Sequence, residues 1–179
     1  MWRCLVPCCG YFEWLRDCAK VWHPFLVAGP ERETLAMAGV CISNPEAKYR
    51  PEFAIVTAYE SPAVLWLNNQ QPVFVPARLW SAWLDPSQCS RKLLESELVP
   101  YSHAVPWDIF PVCRRVNHPR ARVTAEDVAP RAWWQPQMLA MLHAVHHAPR
   151  TVEELSPTLG LEAAEALRML ELLEDVQFV

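Results

Sequence analysis

Near its start the chain carries several side chains that can act as nucleophiles or metal ligands. Cys4, Cys8 and Cys9 lie close together, and Cys18 and His23 follow. Thiolates and imidazoles are common ligands of zinc, but the adjacent Cys8 and Cys9 fit no common zinc-binding spacing. The seven cysteines are also an odd number, which argues against a complete disulfide framework. We therefore expect buried or free thiols here, and we predict neither a metal nor another cofactor.

A cluster of basic side chains follows a predicted strand near residue 112. It consists of Arg114, Arg115, His118, Arg120 and Arg122. Because arginine neutralises nucleic-acid phosphates, the cluster predicts a phosphate-binding track, and its four arginines are candidates for binding DNA. The alternative is a solvated arm that pairs with acidic residues in the C-terminal part of the same chain.

Five tryptophans lie at positions where they could bind bases or a partner: Trp14, Trp22, Trp66, Trp133 and Trp134. Aromatic rings stack on unpaired bases in single-strand grooves, but most large aromatic side chains lie in protein cores. We predict that most of the five are buried. Trp14 is the candidate for contacting DNA, and Trp133 with Trp134 is the candidate for contacting a protein partner or another part of the chain.

A third group of potential ligands lies near the C-terminus. His143, His146 and His147 share one face of a predicted helix, and two such histidines could hold zinc. No cysteine or acid stands beside them, and a helix C-terminus favours histidine without a metal. We therefore predict no metal site at these histidines.

The local patterns predict short elements that would position these side chains. Seventeen prolines stand against four glycines, which favours short elements joined by rigid turns and excludes a glycine-rich phosphate loop. Strands are predicted at residues 11–14, 24–28, 34–42, 53–57, 72–75 and 110–113. We expect 24–28 and 34–42 to form a hairpin. Helices are predicted at residues 77–84, 90–98 and 137–147, from a capping box at 151–154 to Pro157 and Gly160, and at 161–175.

Charge is distributed unevenly along the 179 residues. The net charge is −4, with balanced charge over residues 1–129, so the whole excess of negative charge lies in residues 130–179. Glu165, Glu171 and Glu174 in the last predicted helix are candidates for binding a protein partner, because such a surface would repel DNA. No apolar run is long enough for a membrane span, and the start does not have the pattern of a signal peptide, so a cytoplasmic protein is expected.

Residues 3–14, with the sequence RCLVPCCGYFEW, resemble the RCLVPADGFYEW signature of the SOS response-associated peptidase (SRAP) family. Six further segments follow in the family's order, at residues 24–26, 35–40, 53–57, 68–73, 80–86 and 111–120. The resemblance extends over residues 3–128 and corresponds to about the C-terminal half of a normal SRAP domain.

The resemblance implies a defined chemistry. SRAP proteins bind single-stranded DNA in a basic groove and form a thiazolidine with the ring-opened aldehyde of an abasic site. The family's nucleophile is the cysteine after the initiator Met, supported by an Asn, by the Glu of FYEW and by the His of HDRMP. One residue's amine and thiol can close a five-membered ring on an aldehyde, while a carboxylate and an imidazole move protons.

This sequence departs from that pattern at most positions. It begins Met1-Trp2-Arg3, so no cysteine follows the initiator. Asn68 stands where the family has its His, and an amide does not exchange protons near neutral pH. The family's neighbouring Arg is replaced in the Gln70–Gln71 pair. Glu13 alone is retained as a catalytic candidate, and its alternative role is a framework carboxylate. We therefore expect a catalytically inactive relative.

The predicted fold class is α+β: a partial SRAP-like mixed β-sheet with short helices, followed by a small three-helix winged-helix-like unit. The domains are predicted at residues 1–128 and 137–179, with a linker at 129–136. Half a domain exposes apolar surface, so we expect the C-terminal helices, a second copy or another protein to cover it.

Three functions compete. The first is an inactive SRAP relative that acts as a binding or adaptor protein, with a protein partner or homodimer and with single-stranded DNA as a further ligand. The second is a single-stranded DNA damage sensor completed in trans by a chain that carries the catalytic half. The third is an acidic regulator that binds a host or replication protein.

Overall fold

The computed structural model describes residues 2–16, 20–42, 52–59, 61–88, 90–131, 134, 138, 141 and 151–175. It divides the chain into two compact units. The first unit consists of residues 1–11 and 28–108, and the second of residues 12–27 and 109–179. Both units are discontinuous because the chain leaves the first unit after Tyr11 and returns to it at Ala28. The predicted division at residues 129–136 stays a prediction.

Among the described residues, seven short strands come before the first α-helix, and the strand pairs of β1 with β4, β4 with β5 and β6 with β7 are antiparallel, which confirms the α+β class. The strands are β1 (Trp2–Cys8), β2 (Gly10–Arg16), β3 (Trp22–Ala28), β4 (Leu35–Ile42), β5 (Glu52–Ile55), β6 (Thr57–Tyr59), β7 (Gln70–Pro72) and β8 (Asp108–Pro111). The α-helices are α1 (Trp80–Leu84), α2 (Ser90–Leu93), α3 (Val99–Ala104), α4 (Val152–Leu159) and α5 (Ala163–Asp175).

The first unit is built on a three-stranded sheet with the order β1-β4-β5. Both pairings are antiparallel, and all seven residues of β1 pair with β4, from Trp2 opposite Cys41 to Cys8 opposite Leu35. One face of β4 places Ala38 against Trp83 and Leu98. The other face places Leu35 and Met37 against Phe74. The sheet is therefore covered on both faces where β4 crosses its centre.

The predicted hairpin of residues 24–28 and 34–42 is wrong. Both segments are strands, but β3 lies in a second sheet with the order β2-β3-β8, while β4 pairs with β1 and β5. The connecting segment contains a 3₁₀ turn at Pro30–Arg32, with Glu31 and Arg32 at positive φ. The long apolar strand β1 offers β4 a full-length partner, and this distant pairing replaces the local one.

The region predicted as two uniform strands, 53–57 and 72–75, is subdivided. Val56 interrupts the first between β5 and β6, and Val73 to Val75 continue β7 as irregular extended chain. This extended chain is still anchored, because Val73 N–H donates to Val56 O (2.8 Å) and Val75 N–H donates to Ala36 O (2.8 Å). Its side chains are buried, with Val73 and Phe74 fully inaccessible.

The edge of strand β1 is protected by helix α1. Trp83 is almost fully buried, and its indole Nε1–H donates to Cys4 O at 2.8 Å. The guanidinium of Arg3 lies over the Trp83 ring, 5.3 Å from its centroid, and donates to the carbonyl of Asp85. The backbone carbonyl of Cys4 already accepts this hydrogen bond, and an edge strand with such a satisfied group is a poor template for pairing with a further strand.

The second unit is built on the sheet β2-β3-β8. The period of two predicted for β2 agrees with the structure, because the rings of Phe12 and Trp14 lie 6.4 Å apart. Phe25 of β3 is fully buried, and the Trp134 ring packs edge-on against it at 5.9 Å. The chain after β8 is also held to β3, since Val112 N–H donates to Pro24 O at 3.0 Å.

Two C-terminal helices belong to the same unit. The predicted capping box is confirmed at the start of α4, where Thr151 N–H donates to the Glu154 carboxylate at 3.2 Å. Gly160 ends α4 with a φ of 65°, and Pro157 lies inside the helix. Most of the predicted helix 137–147 and all of the tail 176–179 lie outside the described residues, so the three-helix winged-helix-like plan stays a prediction. Within the described residues, no helix is long and apolar enough to cross a membrane.

Candidate nucleic-acid interface

Two partly exposed tryptophans lie at the ends of neighbouring strands in the second unit. Trp14 is on β2 and is 37% exposed, and Trp22 begins β3 and is 50% exposed. Asn117, from the 3₁₀ turn Arg114–Asn117, joins them: its Oδ1 accepts from Trp14 Nε1–H at 2.8 Å, and its Nδ2–H donates to Trp22 O at 3.2 Å. A single side-chain amide therefore ties both tryptophans to the turn that follows β8. We call Trp14, Trp22 and Asn117 the tryptophan platform.

Two basic residues between Trp14 and Trp22 in the sequence add positive charge beside the tryptophan platform. The guanidinium of Arg16 lies over the Trp22 ring, with its carbon 5.4 Å from the ring centroid, in cation–π geometry. Arg16 Nε–H also donates to Lys20 O at 3.5 Å, and both side chains are exposed. Arg16 and Lys20 thus place two cations at the end of the sheet that carries the aromatic rings.

The 3₁₀ turn itself supplies two further cations. A guanidinium nitrogen of Arg114 lies 3.3 and 3.4 Å from the two ring nitrogens of His23, a buried residue of β3. Arg115 lies 3.7 Å from the carboxylate of Asp127 and is exposed over more than half of its side chain. Both arginines are therefore anchored at one point while they remain open to solvent.

Asp127 is held as an anion by its surroundings. Its carboxylate accepts from the backbone N–H of Thr124 (2.9 Å) and from the Thr124 hydroxyl (3.0 Å). The pKa of Asp127 lies below its ordinary value, chiefly because of the Thr124 backbone hydrogen bond, with the Arg115 charge as a smaller cause. Asp127 therefore remains charged and positions Arg115 throughout the neutral range.

The rest of the basic cluster lies in the exposed chain after the turn. His118, Arg120 and Arg122 are all exposed, and the chain folds back on itself where Ala121 N–H donates to His118 O at 2.9 Å. All four predicted DNA-binding arginines thus lie in the segment that starts at the turn carrying Asn117. Exposed aromatic rings together with exposed cations are the combination that binds single-stranded nucleic acid, through stacking and phosphate neutralisation.

The predicted catalytic positions belong to different units. Glu13 is half-buried on β2 in the second unit. Asn68 is half-buried in the first unit and follows a turn in which its N–H donates to Val64 O at 3.2 Å. Gln71, from the pair that replaces the family's Arg, is fully buried, and its Oε1 accepts from Ser61 N–H (3.3 Å) and Ser61 Oγ–H (3.2 Å). Gln71 therefore has a structural role in the first unit.

The predicted partner-binding residues are only partly described. Trp134 is half-buried against Phe25 inside its own unit, whereas Trp133 lies outside the described residues. Glu165 and Glu171 are exposed on α5. The side chain of Glu174 is not among those that the structure describes. The structure therefore gives Trp134 a packing role and leaves the acidic side of α5 open to solvent.

Sequence reasoning missed Asn117 and His23 as parts of this surface. Asn117 contacts Trp14 and Trp22 across 103 and 95 residues, and Arg114 contacts His23 across 91 residues. No local periodicity encodes such distant contacts. The available signal was the position of Asn117 inside the basic cluster, where an uncharged amide interrupts the run of cationic side chains.

Known proteins resemble this chain over its larger part. The abasic site processing proteins YoqW and YoaM of Bacillus subtilis (strain 168) are each 25% identical to it over 120 residues, which is 66% of this chain. The match covers 53% of YoqW and 52% of YoaM, so the chain spans about half the length of these curated relatives. A crystal structure of a protein from Bacteroides thetaiotaomicron aligns with a TM-score of 0.54 at 17% identity, over 73% of this chain and 57% of that one, and supports the fold alone.

The family assignment rests on the longest match. Residues 1–119 match the model of the family described as SOS response associated peptidase (SRAP), and this range contains β1 to β8 and the turn that carries Asn117. The order of the seven sequence segments and the likeness to abasic site processing proteins agree with that match. The chain belongs to the SRAP family.

Proposed function

We propose that this chain binds single-stranded DNA without forming a covalent bond to it, as a non-catalytic binding or adaptor member of the SRAP family. The observation that carries the proposal is the tryptophan platform beside Arg114, in which Asn117 accepts from the Trp14 indole and donates to the backbone carbonyl of Trp22, and both rings are partly exposed. Two rings can stack on two bases of a flexible strand, whereas the bases of a duplex are already stacked on each other. The family relation to abasic site processing proteins supports a DNA ligand.

The non-catalytic part of the proposal rests on residue 68. An amide at Asn68 cannot take up and release a proton near neutral pH as the imidazole implied by the family resemblance would. Glu13 supplies one carboxylate. The resemblance identifies no second residue that could transfer a proton together with it. Binding would therefore proceed through stacking and charge, with no acid–base step supplied by position 68.

The acidic helix α5 is not part of the proposed DNA surface. Glu165 and Glu171 are exposed there, and Leu167 between them is 47% exposed. Such a surface repels phosphates but suits a basic protein partner, which would make the chain an adaptor. Glu165→Gln with Glu171→Gln is expected to leave DNA affinity equal or slightly raised, and a clear loss of DNA affinity would show that α5 belongs to the DNA surface.

The proposal is tested by fluorescence anisotropy with a labelled oligothymidine and a duplex of equal length. We expect the single strand to bind more tightly, with an affinity that Trp14→Ala and Asn117→Ala reduce. Phe53→Ala, at an exposed aromatic residue of the first unit, is the matched control and should leave binding unchanged. Equal affinity for both DNA forms, or no effect of either platform variant, would refute the proposed surface.

The non-catalytic part has its own test. The protein is incubated with single-stranded DNA that contains an abasic site and is then run on a denaturing gel. We expect no shifted band, because nothing covalent forms. A shifted band resistant to denaturant would refute this part and would support the alternative of a DNA damage sensor.

A further inference from the structure

Two cysteines of the first unit lie next to each other on paired strands. In the antiparallel register, Cys4 of β1 is opposite Gly39 and Cys41 of β4 is opposite Trp2. Because side chains alternate between the faces of a sheet, Cys4 and Cys41 lie on the same face, two residues apart in register. Diagonal neighbours in a strand pair lie about 7–8 Å apart, so a short side chain approaches its neighbour only where it is directed toward it.

The residue opposite Cys4 makes the approach possible. A β-carbon added at Gly39 would lie 2.6 Å from the Cys4 Sγ, so the thiol occupies the space that any side chain at this position would take. The Cys4 thiol is thereby directed over β4, toward the Cys41 side chain on the same face. Both residues are half-exposed and both are free thiols.

We propose that Cys4 and Cys41 form a dithiol site that a small disulfide, such as oxidised glutathione, converts reversibly to an intramolecular disulfide. In the first step one protein thiolate attacks the small disulfide, forms a mixed disulfide and releases one small thiolate. In the second step the other protein thiol gives its proton to the released small thiolate, and its sulfur attacks the protein sulfur of the mixed disulfide, which closes the Cys4–Cys41 bond and releases the second small thiolate. Two protein thiols are oxidised and one small disulfide is reduced to two thiols.

The chemistry of the two thiols assigns the order of attack. Burial, followed by a hydrogen bond that the Cys4 thiol donates to Cys41, raises the pKa of Cys4 to about 11, so Cys4 is protonated near neutral pH. Thiolates are the attacking species in disulfide exchange. Cys41 therefore reacts first with the small disulfide, and Cys4 closes the bond because its sulfur already lies beside Cys41.

The place of the pair in the chain gives the bond a structural consequence. Cys4 and Cys41 lie on either side of residues 12–27, the segment that leaves the first unit to build β2 and β3 of the second. A disulfide between them would close a loop that contains this whole segment. It would thereby reduce the number of conformations open to the unfolded chain. It would fasten β1 to β4 without touching the tryptophan platform, so it is independent of the proposed DNA binding.

The experiment titrates the whole protein with oxidised glutathione and digests it with trypsin under non-reducing conditions. Cleavage gives residues 4–16, which contain Cys4, Cys8 and Cys9, and residues 33–48, which contain Cys41 alone. We expect these two peptides to appear linked, with a mass two hydrogens below their sum. Fragmentation should place the link at Cys4. Oxidation should also raise the thermal midpoint by about 5 °C or more.

Single variants make the assignment specific. Cys41→Ser should abolish the linked peptide, and Cys4→Ser should stop the reaction at the mixed disulfide on Cys41. Cys8→Ser, on the same strand, and Cys113→Ser, in the second unit, are matched controls that should retain the link. A link that moves to Cys8 or Cys9, or a mixed disulfide on wild-type Cys41 that never closes, would overturn the proposal.

Discussion

The salt dependence of DNA binding gives the sharpest test of the surface around Asn117, because it separates charge from stacking. Neutralising Z phosphates of a single strand changes the logarithm of affinity with the logarithm of salt by about −0.7Z. The four arginines of the cluster, Arg114, Arg115, Arg120 and Arg122, can contribute at most four contacts. Their share of the slope is therefore at most about −2.8, which corresponds to at most about a 50-fold loss of affinity between 50 and 200 mM salt.

The structure predicts that the four arginines contribute unequally. Arg115 lies 3.7 Å from Asp127, so binding a phosphate exchanges one ion pair for another and releases less counterion. Arg120→Ala should reduce the magnitude of the slope by about 0.7, whereas Arg115→Ala should reduce it by clearly less. Arg91→Ala, at an exposed arginine of the first unit, is the control and should leave the slope unchanged.

In the same titrations, loss of stacking should change the affinity and not the slope of its salt dependence. Loss of a base-stacking ring costs about 1–3 kcal/mol per base without altering the number of neutralised phosphates. Trp14→Ala should therefore shift the whole affinity line downward, by about 5-fold or more, and keep its slope. A slope near zero for the wild type would show that the cluster does not bind phosphates. Equal slope changes for the Arg115 and Arg120 variants would show that the Asp127 pair does not restrain Arg115.

Three further predictions concern the scaffold. Trp83→Phe removes the indole hydrogen bond to Cys4 O and weakens the ring that holds Arg3, so the free energy of unfolding measured in urea should fall by about 1–3 kcal/mol. The pKa of Asp127 is lower in the folded protein than its unfolded value of 3.8, so the stabilisation by its carboxylate is complete above pH 3.8 and is lost as the pH falls through the folded pKa. Asp127→Asn should therefore flatten the dependence of the urea midpoint on acidic pH. An unchanged pH profile would contradict this prediction. Gly160 has a φ of 65° and open space around its Cα, so Gly160→Ala should cost about 1 kcal/mol from backbone strain alone; a larger loss in urea unfolding would indicate a steric clash.

Local patterns were sufficient for the elements and insufficient for their partners. The period of two in residues 11–14 predicted β2, and the Thr151–Glu154 spacing predicted the start of α4, because each depends on neighbours in sequence. The hairpin prediction failed because strand pairing is decided by competition, and β1 matches β4 over its full length. Similarly, the bond from Asn117 to Trp14 joins residues 103 apart, which no local rule can foresee.

The basic cluster allowed two interpretations, a phosphate track or an arm neutralised by the acidic C-terminal part. Arg115 is the arginine of the cluster that forms an ion pair among the described residues, and its partner Asp127 lies in the turn Glu126–Val128, before the acidic stretch begins. Glu165 and Glu171 of α5 are exposed, and no ion pair joins them to Arg114, Arg120 or Arg122 within the described part of the chain. An arm neutralised in its own chain would have its charges satisfied there. Arginines that stay open to solvent beside the two partly exposed tryptophans that Asn117 joins favour a phosphate-bearing ligand.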